Sequence, residues 1–269
     1  MVTIVMRLSE GRVRGKTGVL AVNYLSCMGI AGAYIGFGQL VPRSEGFGLT
    51  LGLGAISGVF YLLGLLLMQY NIRKNGIVLS SVFSRVGDLL VPLLIAVCFF
   101  GEVPTAVQIA GAIIAIFSII TINYDKSYQS EQLHSVATLF FLFLADGFAG
   151  AMSKIFGEVG NSAFTPHFLF FTFASAFILC LILMIRRKEK IGKKELLFGV
   201  LIGAPNFFAS RFLLAALEQI PAVIAYPTRG VAGIVVVSLA GIFLFGEKLK
   251  KRQWIALGAI LVAITLLNI

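Results

Sequence analysis

Nine stretches of about 20 consecutive residues are almost entirely apolar, and only short segments separate them. A helix needs about 20 residues to cross a hydrocarbon core of about 30 Å, so stretches of this length are typical of membrane spans. The alternating pattern over about 10 residues that indicates a membrane β-strand is absent. The sequence therefore predicts an all-α, polytopic membrane helical bundle with nine full spans, at residues 17–40, 48–70, 77–100, 104–123, 134–157, 163–185, 196–218, 221–245 and 252–268.

The composition agrees with this fold class. Hydrophobic residues make up 58% of the chain and charged residues only 13%, whereas about 25% charged residues are usual in soluble domains. All three cysteines lie in apolar spans, where cysteine usually acts as a small buried hydrophobe: Cys27, Cys98 and Cys180. We therefore expect no disulfide, no metal site and no cofactor.

The basic residues are distributed unevenly over the connections between spans. Of 22 lysines and arginines, seventeen lie in alternate connections, Arg43 alone lies in the opposite set, and four lie within spans. By the positive-inside rule the rich connections face the cytoplasm, which places the carboxyl terminus, Ile269, outside the cell. The net charge of +10 is thus interpreted as the topology signal of a multi-pass protein of the bacterial inner membrane, and no nucleic-acid partner is expected.

The two halves of the chain are related by an internal repeat. Many transporters are built from two such halves, so repeats are informative about architecture. A shift of 145 residues superposes four landmarks: Gly58 on Gly203, Gly101-Glu102 on Gly246-Glu247, Gln108 on Gln253, and Asn123 on Asn268. We expect one repeat at residues 1–124 and another at 134–269. Each half would hold five helices, and this odd number makes the repeat inverted.

The first helix of this pattern is largely missing. The same comparison brings Met6 and Arg7 close to the segment from Met152 to Lys154, at the end of a span. Residues 1–9 are therefore interpreted as the last turns of a helix whose upstream part the chain lacks. A start codon assigned too late and a naturally nine-span protein explain this equally well.

Two further segments carry a family resemblance. The stretch from Gly54 to Asn123, with NGIVLSSVFSRVG and FFGEVPTAVQIAG, resembles the first half of an EamA-type transporter of the drug/metabolite transporter superfamily. The second half repeats it with FLFGEKLKKRQWIALGAILVAITLLN. The resemblance implies a ten-helix bundle of two five-helix repeats, alternating access around a central cavity, and a small-molecule substrate. The chain departs from it in lacking most of the first helix.

Ionisable side chains within spans are the candidates for function. Each costs about 2.5 to 3.5 kcal/mol on insertion scales, so such groups normally face the bundle interior or a water-filled cavity. Arg85 and Asp88 are three residues apart, hence on one helix face where they can pair. The six are Arg85, Asp88, Asp146, Lys154, Arg211 and Arg229.

Basic groups outnumber acidic ones in this set, which favours a central site for an anionic or carboxylate-bearing metabolite. Arginine suits such a ligand because its planar fork donates two parallel hydrogen bonds. Prolines within spans also free backbone carbonyls, and we expect a helix break at Pro205-Asn206. The predicted substrate-binding residues are Arg211, Arg229, Asn206, Tyr226, Lys154 and Arg85, with Asp146 and Asp88 as proton-coupling candidates.

Other interpretations stay open beside this one. The ionisable groups can instead pair with one another and only hold helices together. The protein can also be a non-transporting subunit of an envelope complex. A membrane-embedded enzyme is disfavoured, because His134 and His167 lie near span ends and no His or Cys cluster occurs. Proton coupling, sodium coupling, exchange, and a monomer or homodimer all remain compatible with the sequence.

Two structural expectations accompany the site. Glycine pairs four residues apart predict close helix packing, at Gly32 with Gly36, Gly54 with Gly58, and Gly199 with Gly203. Glu102 and Glu247 stand at span ends, where we expect each to cap the helix that follows it.

Overall fold

The computed structural model describes residues 5, 13, 15–42, 44–75, 77–123, 136–245 and 251–267. All regular structure in these ranges is helical, with 3-10 turns at Phe37–Gln39 and Ser162–Phe164. The long helices within them are α1 (Lys16–Ile35), α2 (Phe47–Asn75), α3 (Ile77–Phe100), α4 (Ala106–Asn123), α5 (Val136–Val159), α6 (Thr165–Arg186), α7 (Lys193–Leu217), α8 (Ala222–Phe245) and α9 (Lys251–Leu267). Several residues used in the sequence analysis lie outside the described ranges: Met6, Arg7, Arg43, His134, Gly246, Glu247, Asn268 and Ile269.

Each predicted span overlaps one long helix, although the bounds differ: the span predicted at residues 17–40 corresponds to a helix that ends at Ile35. Within the described ranges, six helical segments are long and apolar enough to cross a membrane: Thr17–Ile35, Phe47–Met68, Val82–Phe100, Val136–Val159, Ser162–Arg186 and Lys193–Leu217. Two shorter apolar helices are Ala106–Ser118 and Trp254–Leu267. The all-helical, multi-pass prediction is confirmed at this level, and the nine full crossings remain a prediction.

Prolines lie inside three helices without ending them. Pro92 is inside α3, Pro205 inside α7 and Pro227 inside α8. The predicted break at Pro205-Asn206 is therefore wrong, since α7 continues from Lys193 to Leu217. Proline removes a single N–H from the helix ladder, and the other hydrogen bonds of a long membrane helix can carry the chain past it.

The chain forms two compact units, and each draws on both halves of the sequence. Unit 1 comprises Met1–Leu62 and Ile155–Glu218, and unit 2 comprises Leu63–Lys154 and Gln219–Ile269. The repeats predicted at residues 1–124 and 134–269 are regions of similar sequence, and their bounds differ from those of the two compact units. They stay a prediction.

In unit 1, glycines let helices meet backbone to backbone. A methyl group on Gly203 of α7 would lie 2.6 Å from the Ser26 Cβ of α1, and one on Gly54 of α2 would lie 2.9 Å from the Phe171 Cβ of α6. These contacts agree with the packing role predicted for such glycines. Gly36 differs: it follows the last residue of α1 with φ +81° and has no neighbouring atom within 4 Å, so it ends the helix.

In unit 2, α3, α4, α8 and α9 share one apolar core. Its buried members are Leu89, Ala115, Val231 and Ala263, one from each helix. Helix α5 joins α3 where Gly87 meets the Phe143 carbonyl. Unit 2 thus holds α3, α5 and α8 together, and these are the helices that carry most of the predicted site.

Candidate functional site

The predicted site residues are divided between the two units. Asn206 and Arg211 belong to unit 1, on α7. The remaining six belong to unit 2, on α3, α5 and α8: Arg85, Asp88, Asp146, Lys154, Tyr226 and Arg229.

An ion pair joins α3 and α8 inside unit 2. Arg229 Nη1 lies 3.5 Å from Asp88 Oδ2, and the two side chains are 37% and 43% exposed. The pair thus connects two helices, whereas the sequence suggested a pair within α3 between Asp88 and Arg85. Arg85 lies close enough to interact with both charges. A charge pair this exposed within apolar helices is expected to face water or a ligand rather than lipid.

A second carboxylate, that of Asp146, lies near this pair. Asp146 is within hydrogen-bonding reach of Ser84 and close enough to Asp88 for their charges to interact. Glycines make room for both carboxylates: a methyl group on Gly64 would collide with Asp146 Oδ1, and one on Gly150 would lie 2.7 Å from Asp88 Oδ1. Two acids and two arginines therefore form a polar cluster of balanced charge: Asp88, Asp146, Arg85 and Arg229.

Tyr226 fixes α8 to α5. Its hydroxyl donates a 2.8 Å hydrogen bond to the carbonyl of Gly150, and the side chain is buried. A buried tyrosine hydroxyl usually has such a partner. The residue was predicted to bind substrate, and the structure gives it this contact between helices.

Lys154 is held by Glu102, a residue that was not among the predicted site residues. Lys154 Nζ lies 2.7 Å from Glu102 Oε1, with side chains 5% and 15% exposed, and 5.6 Å from the centre of the Phe100 ring. The same carboxylate accepts hydrogen bonds from the backbone N–H groups of Ala222, at 2.9 Å, and Val223, at 3.1 Å. Glu102 therefore joins α5 to the first turn of α8.

The expectation that Glu102 caps the following helix is therefore wrong. Helix α4 is capped by a reciprocal pair instead, since Thr105 N donates to Gln108 Oε1 at 3.0 Å and Gln108 N donates to Thr105 Oγ1 at 3.2 Å. Glu102 instead caps α8, a helix that begins 120 residues later in the chain. The duplicated Gly-Glu junction was the one sequence signal that marked this residue.

The Glu102 carboxyl makes the stability of unit 2 depend on pH. Burial by itself would raise its pKa, but the bonds from Lys154 and from two backbone N–H groups outweigh burial and hold the pKa of Glu102 below its usual range. A carboxyl whose pKa is lower in the folded state stabilises the fold fully at pH values above its unfolded-state pKa, which is about 4.3 for glutamate. This stabilisation is lost as the pH falls through the folded-state pKa.

We therefore expect the thermal unfolding temperature of the detergent-purified protein to decrease as the pH is lowered below about 4.3. Part of this decrease comes from protonation of Glu102, and the Glu102→Gln variant should lack that part. Static light scattering or intrinsic fluorescence during heating, from pH 7 to pH 3, measures this component. Parallel acid profiles for the two proteins would contradict the assignment.

In unit 1, Arg211 stacks on an aromatic ring. Its guanidinium carbon lies 4.6 Å from the centre of the Tyr34 ring, which is itself stacked on Phe207 at 5.7 Å. Among the described residues Arg211 forms no ion pair. Its charge is therefore balanced only by the ring face, which leaves its donors available to an anion.

A row of polar groups runs beside this arginine across α1, α2 and α7. Asn206 Nδ2 donates to Asn23 Oδ1 at 3.3 Å, and Ser210 Oγ donates to the Asn206 carbonyl at 3.2 Å. The Tyr61 and Ser210 hydroxyls are 3.5 Å apart. Of these residues only Asn206 was predicted from the sequence, although Asn23, Tyr61 and Ser210 are also polar residues inside apolar spans.

A shallow apolar depression of about 220 Å³ lies between α4 and α9. It is lined by Ile114, Phe117, Ser118, Thr121, Arg252, Ile255, Ala256 and Ala259. None of the predicted site residues borders it, so the polar clusters remain the better candidates for a functional site.

The sequence model of the EamA-like transporter family matches residues 136–269 of this chain. These residues contain α5 to α9 and six of the eight predicted site residues. Through these residues the chain belongs to the EamA-like transporter family. The resemblance inferred from the sequence is thus confirmed. This EamA-family chain is a membrane protein of a transporter family rather than of an enzyme family.

Two further proteins are similar to this chain. An uncharacterized protein of Haemophilus influenzae is 23% identical over 225 residues, which cover 82% of this chain and 75% of that protein. A protein of known crystal structure matches with a TM-score of 0.70 and 15% identity, over 100% of this chain and 96% of that one. At this identity the likeness shows that the two share a fold.

Proposed function

We propose that this EamA-family protein is a secondary transporter that moves a small anionic or carboxylate-bearing metabolite across the bacterial inner membrane by alternating access. The observation that carries the proposal is Arg211, a cation within an apolar helix whose charge meets only an aromatic ring in the described part of the chain. A charge within an apolar membrane helix is costly, so it is expected to serve a ligand.

The chemistry of the arginine indicates the ligand class. A guanidinium binds a carboxylate or phosphate through two parallel hydrogen bonds. The Arg211 guanidinium lies over the exposed Tyr34 ring, and a ring face does not replace a carboxylate or phosphate as the acceptor of these bonds. Asn206 and Ser210, on the same helix, offer polar groups for the rest of a small polar molecule.

Unit 2 supplies the proposed coupling. Protonation of Asp88 would remove the charge that holds Arg229, and Asp146 lies near enough to respond to the same proton. The proposal therefore favours proton coupling over sodium coupling. The proposal also includes an orientation with the carboxyl terminus outside, which the distribution of basic residues predicts, and either a monomer or a homodimer.

We expect Arg211→Gln to lower uptake of the transported anion at least tenfold, because a charge-assisted hydrogen bond contributes about 1.5 to 3 kcal/mol. Arg211→Lys should keep part of the activity, since it retains charge but loses the planar fork. Thermal-shift screening of purified protein against amino acids, organic acids and nucleotide sugars selects the substrate, and uptake into proteoliposomes then measures the loss.

The matched control is Lys251→Gln, which removes an exposed cation at the start of α9. Normal uptake by Arg211→Gln at normal expression would show that this arginine only holds helices together. If the wild-type protein moves no solute from the panel and co-purifies with a fixed partner, the alternative of a non-transporting membrane subunit would be favoured.

A further inference from the structure

The connection between α6 and α7 carries a dense group of exposed cations. We name it the α6–α7 patch, and its members are Arg186, Arg187, Lys188, Lys190, Lys193 and Lys194. All six are exposed, and only two acids, Glu189 and Glu195, accompany them in this stretch. The patch lies wholly within unit 1.

The helices on either side place the patch at a membrane surface. The apolar segments Ser162–Arg186 and Lys193–Leu217 are both long enough to cross a bilayer, so the turn between them lies at the level of the lipid headgroups. Exposed apolar side chains border the patch at Ile185, Ile191, Leu196 and Leu197. The cations thus lie at the boundary between lipid tails and water.

The two acids do not neutralise these cations, because both bind the start of α1. Glu189 accepts hydrogen bonds from the Thr17 N–H at 3.2 Å and the Thr17 hydroxyl at 3.1 Å. Glu195 is buried and accepts from the N–H groups of Gly192, at 3.1 Å, and Gly15, at 3.4 Å. None of the four lysines forms an ion pair with another residue in the described ranges.

Helix stability does not account for all of these cations. Arg186 and Arg187 stand at the carboxyl end of α6, where positive charge is favourable, and Arg187 also donates to the Thr17 hydroxyl at 3.4 Å. Lys193 and Lys194 begin α7, where positive charge opposes the helix dipole. The lysine charges are therefore available to a negative partner outside the protein.

We propose that the α6–α7 patch binds the phosphate headgroups of anionic phospholipids. Lysines beside a membrane helix attract anionic lipid, and their long apolar stems let the ammonium groups reach the headgroup level from the helix ends. The partner is thus the lipid that surrounds the protein, in whichever leaflet the patch faces. The lipid contact would anchor the α6–α7 turn and, through Glu189 and Glu195, the start of α1.

The full-length protein allows a local test that does not involve transport. The chain has a single tryptophan, so Trp254→Phe with Ile191→Trp places one fluorophore beside the patch. The fluorescence of this tryptophan is measured in vesicles of one lipid composition in which either the phosphatidylglycerol or the phosphatidylcholine is brominated. The ratio of the two quenching efficiencies measures the local preference for anionic lipid. We expect a preference of about tenfold at low salt, which falls as ionic strength rises.

Two double variants distinguish lipid binding at the α6–α7 patch from a general effect of the protein's net positive charge. Lys193→Gln with Lys194→Gln should lower the preference at least threefold, whereas Lys74→Gln with Lys251→Gln, exposed cations at other helix ends, should leave it unchanged. Equal quenching by both lipids in the wild-type background would overturn the proposal. An equal loss with both lysine pairs would overturn it as well, because net charge alone would then explain the preference.

Discussion

Replacement of Lys154 by methionine is expected to lower the free energy of unfolding by about 3 to 5 kcal/mol. The ammonium group of Lys154 lies 2.7 Å from Glu102, and both side chains are shielded from solvent. Removal of one partner leaves the other charge buried with only its two backbone N–H donors, from Ala222 and Val223. The cost of that uncompensated carboxylate is what makes the expected effect large.

The double variant Lys154→Met with Glu102→Gln provides the decisive comparison. It removes both charges while the glutamine carbonyl can still accept from the first turn of α8, so we expect most of the loss to be recovered. The free energies of unfolding of the wild type, the two single variants and the double variant complete this double-mutant cycle. Circular dichroism in mixed detergent micelles measures them. Strictly additive single effects would contradict a direct Glu102–Lys154 interaction.

The Glu102 contacts also bear on the proposed transport. Helix α8 carries Tyr226 and Arg229 within two turns of the N–H groups that Glu102 binds. If Glu102 sets the position of that first turn, its loss shifts the contacts of both residues with α5 and α3. A variant that folds but has lost the cap is therefore expected to transport poorly.

Substitution of Gly58 by alanine is expected to destabilise unit 1 by about 1 to 3 kcal/mol, the usual range for overpacking. The added methyl group would collide with the Thr172 carbonyl and lie 2.7 Å from the Ser175 Cβ. Because a backbone carbonyl cannot rotate away, α2 and α6 must separate. That separation also weakens the 3.0 Å hydrogen bond from the Ser175 hydroxyl to the Ala55 carbonyl.

Gly29→Ala is the matched control for this prediction. Gly29 lies within α1 of the same unit, and a methyl group there has no neighbouring atom within 4 Å. Alanine should stabilise the helix there by up to about 1 kcal/mol. The two variants should thus change the thermal unfolding temperature of the purified protein in opposite directions. Equal stability of the two would show that α2 and α6 do not meet at Gly58.

Glu102 and Arg211 show how far the sequence could predict the candidate site. Arg211 was predicted from the sequence alone, because an ionisable residue inside an apolar span is exceptional wherever its partners lie. Glu102 stands at a span end, where a charge is ordinary, and its role became visible only with the first turn of α8 beside it. The Tyr34 ring beneath Arg211 was likewise missed, since an aromatic residue in an apolar span carries no signal of its own.

The sequence by itself determined where the long helices run and that the protein belongs in a membrane, because length and apolarity are properties of contiguous residues. It also identified the two Gly-Glu junctions and the charged residues within spans. Only the tertiary structure decided that Asp88 pairs with Arg229, that Glu102 binds Lys154 and α8, and that α7 continues through Pro205. The two ion pairs join residues far apart along the chain, so the partner of each charge depends on how the helices pack.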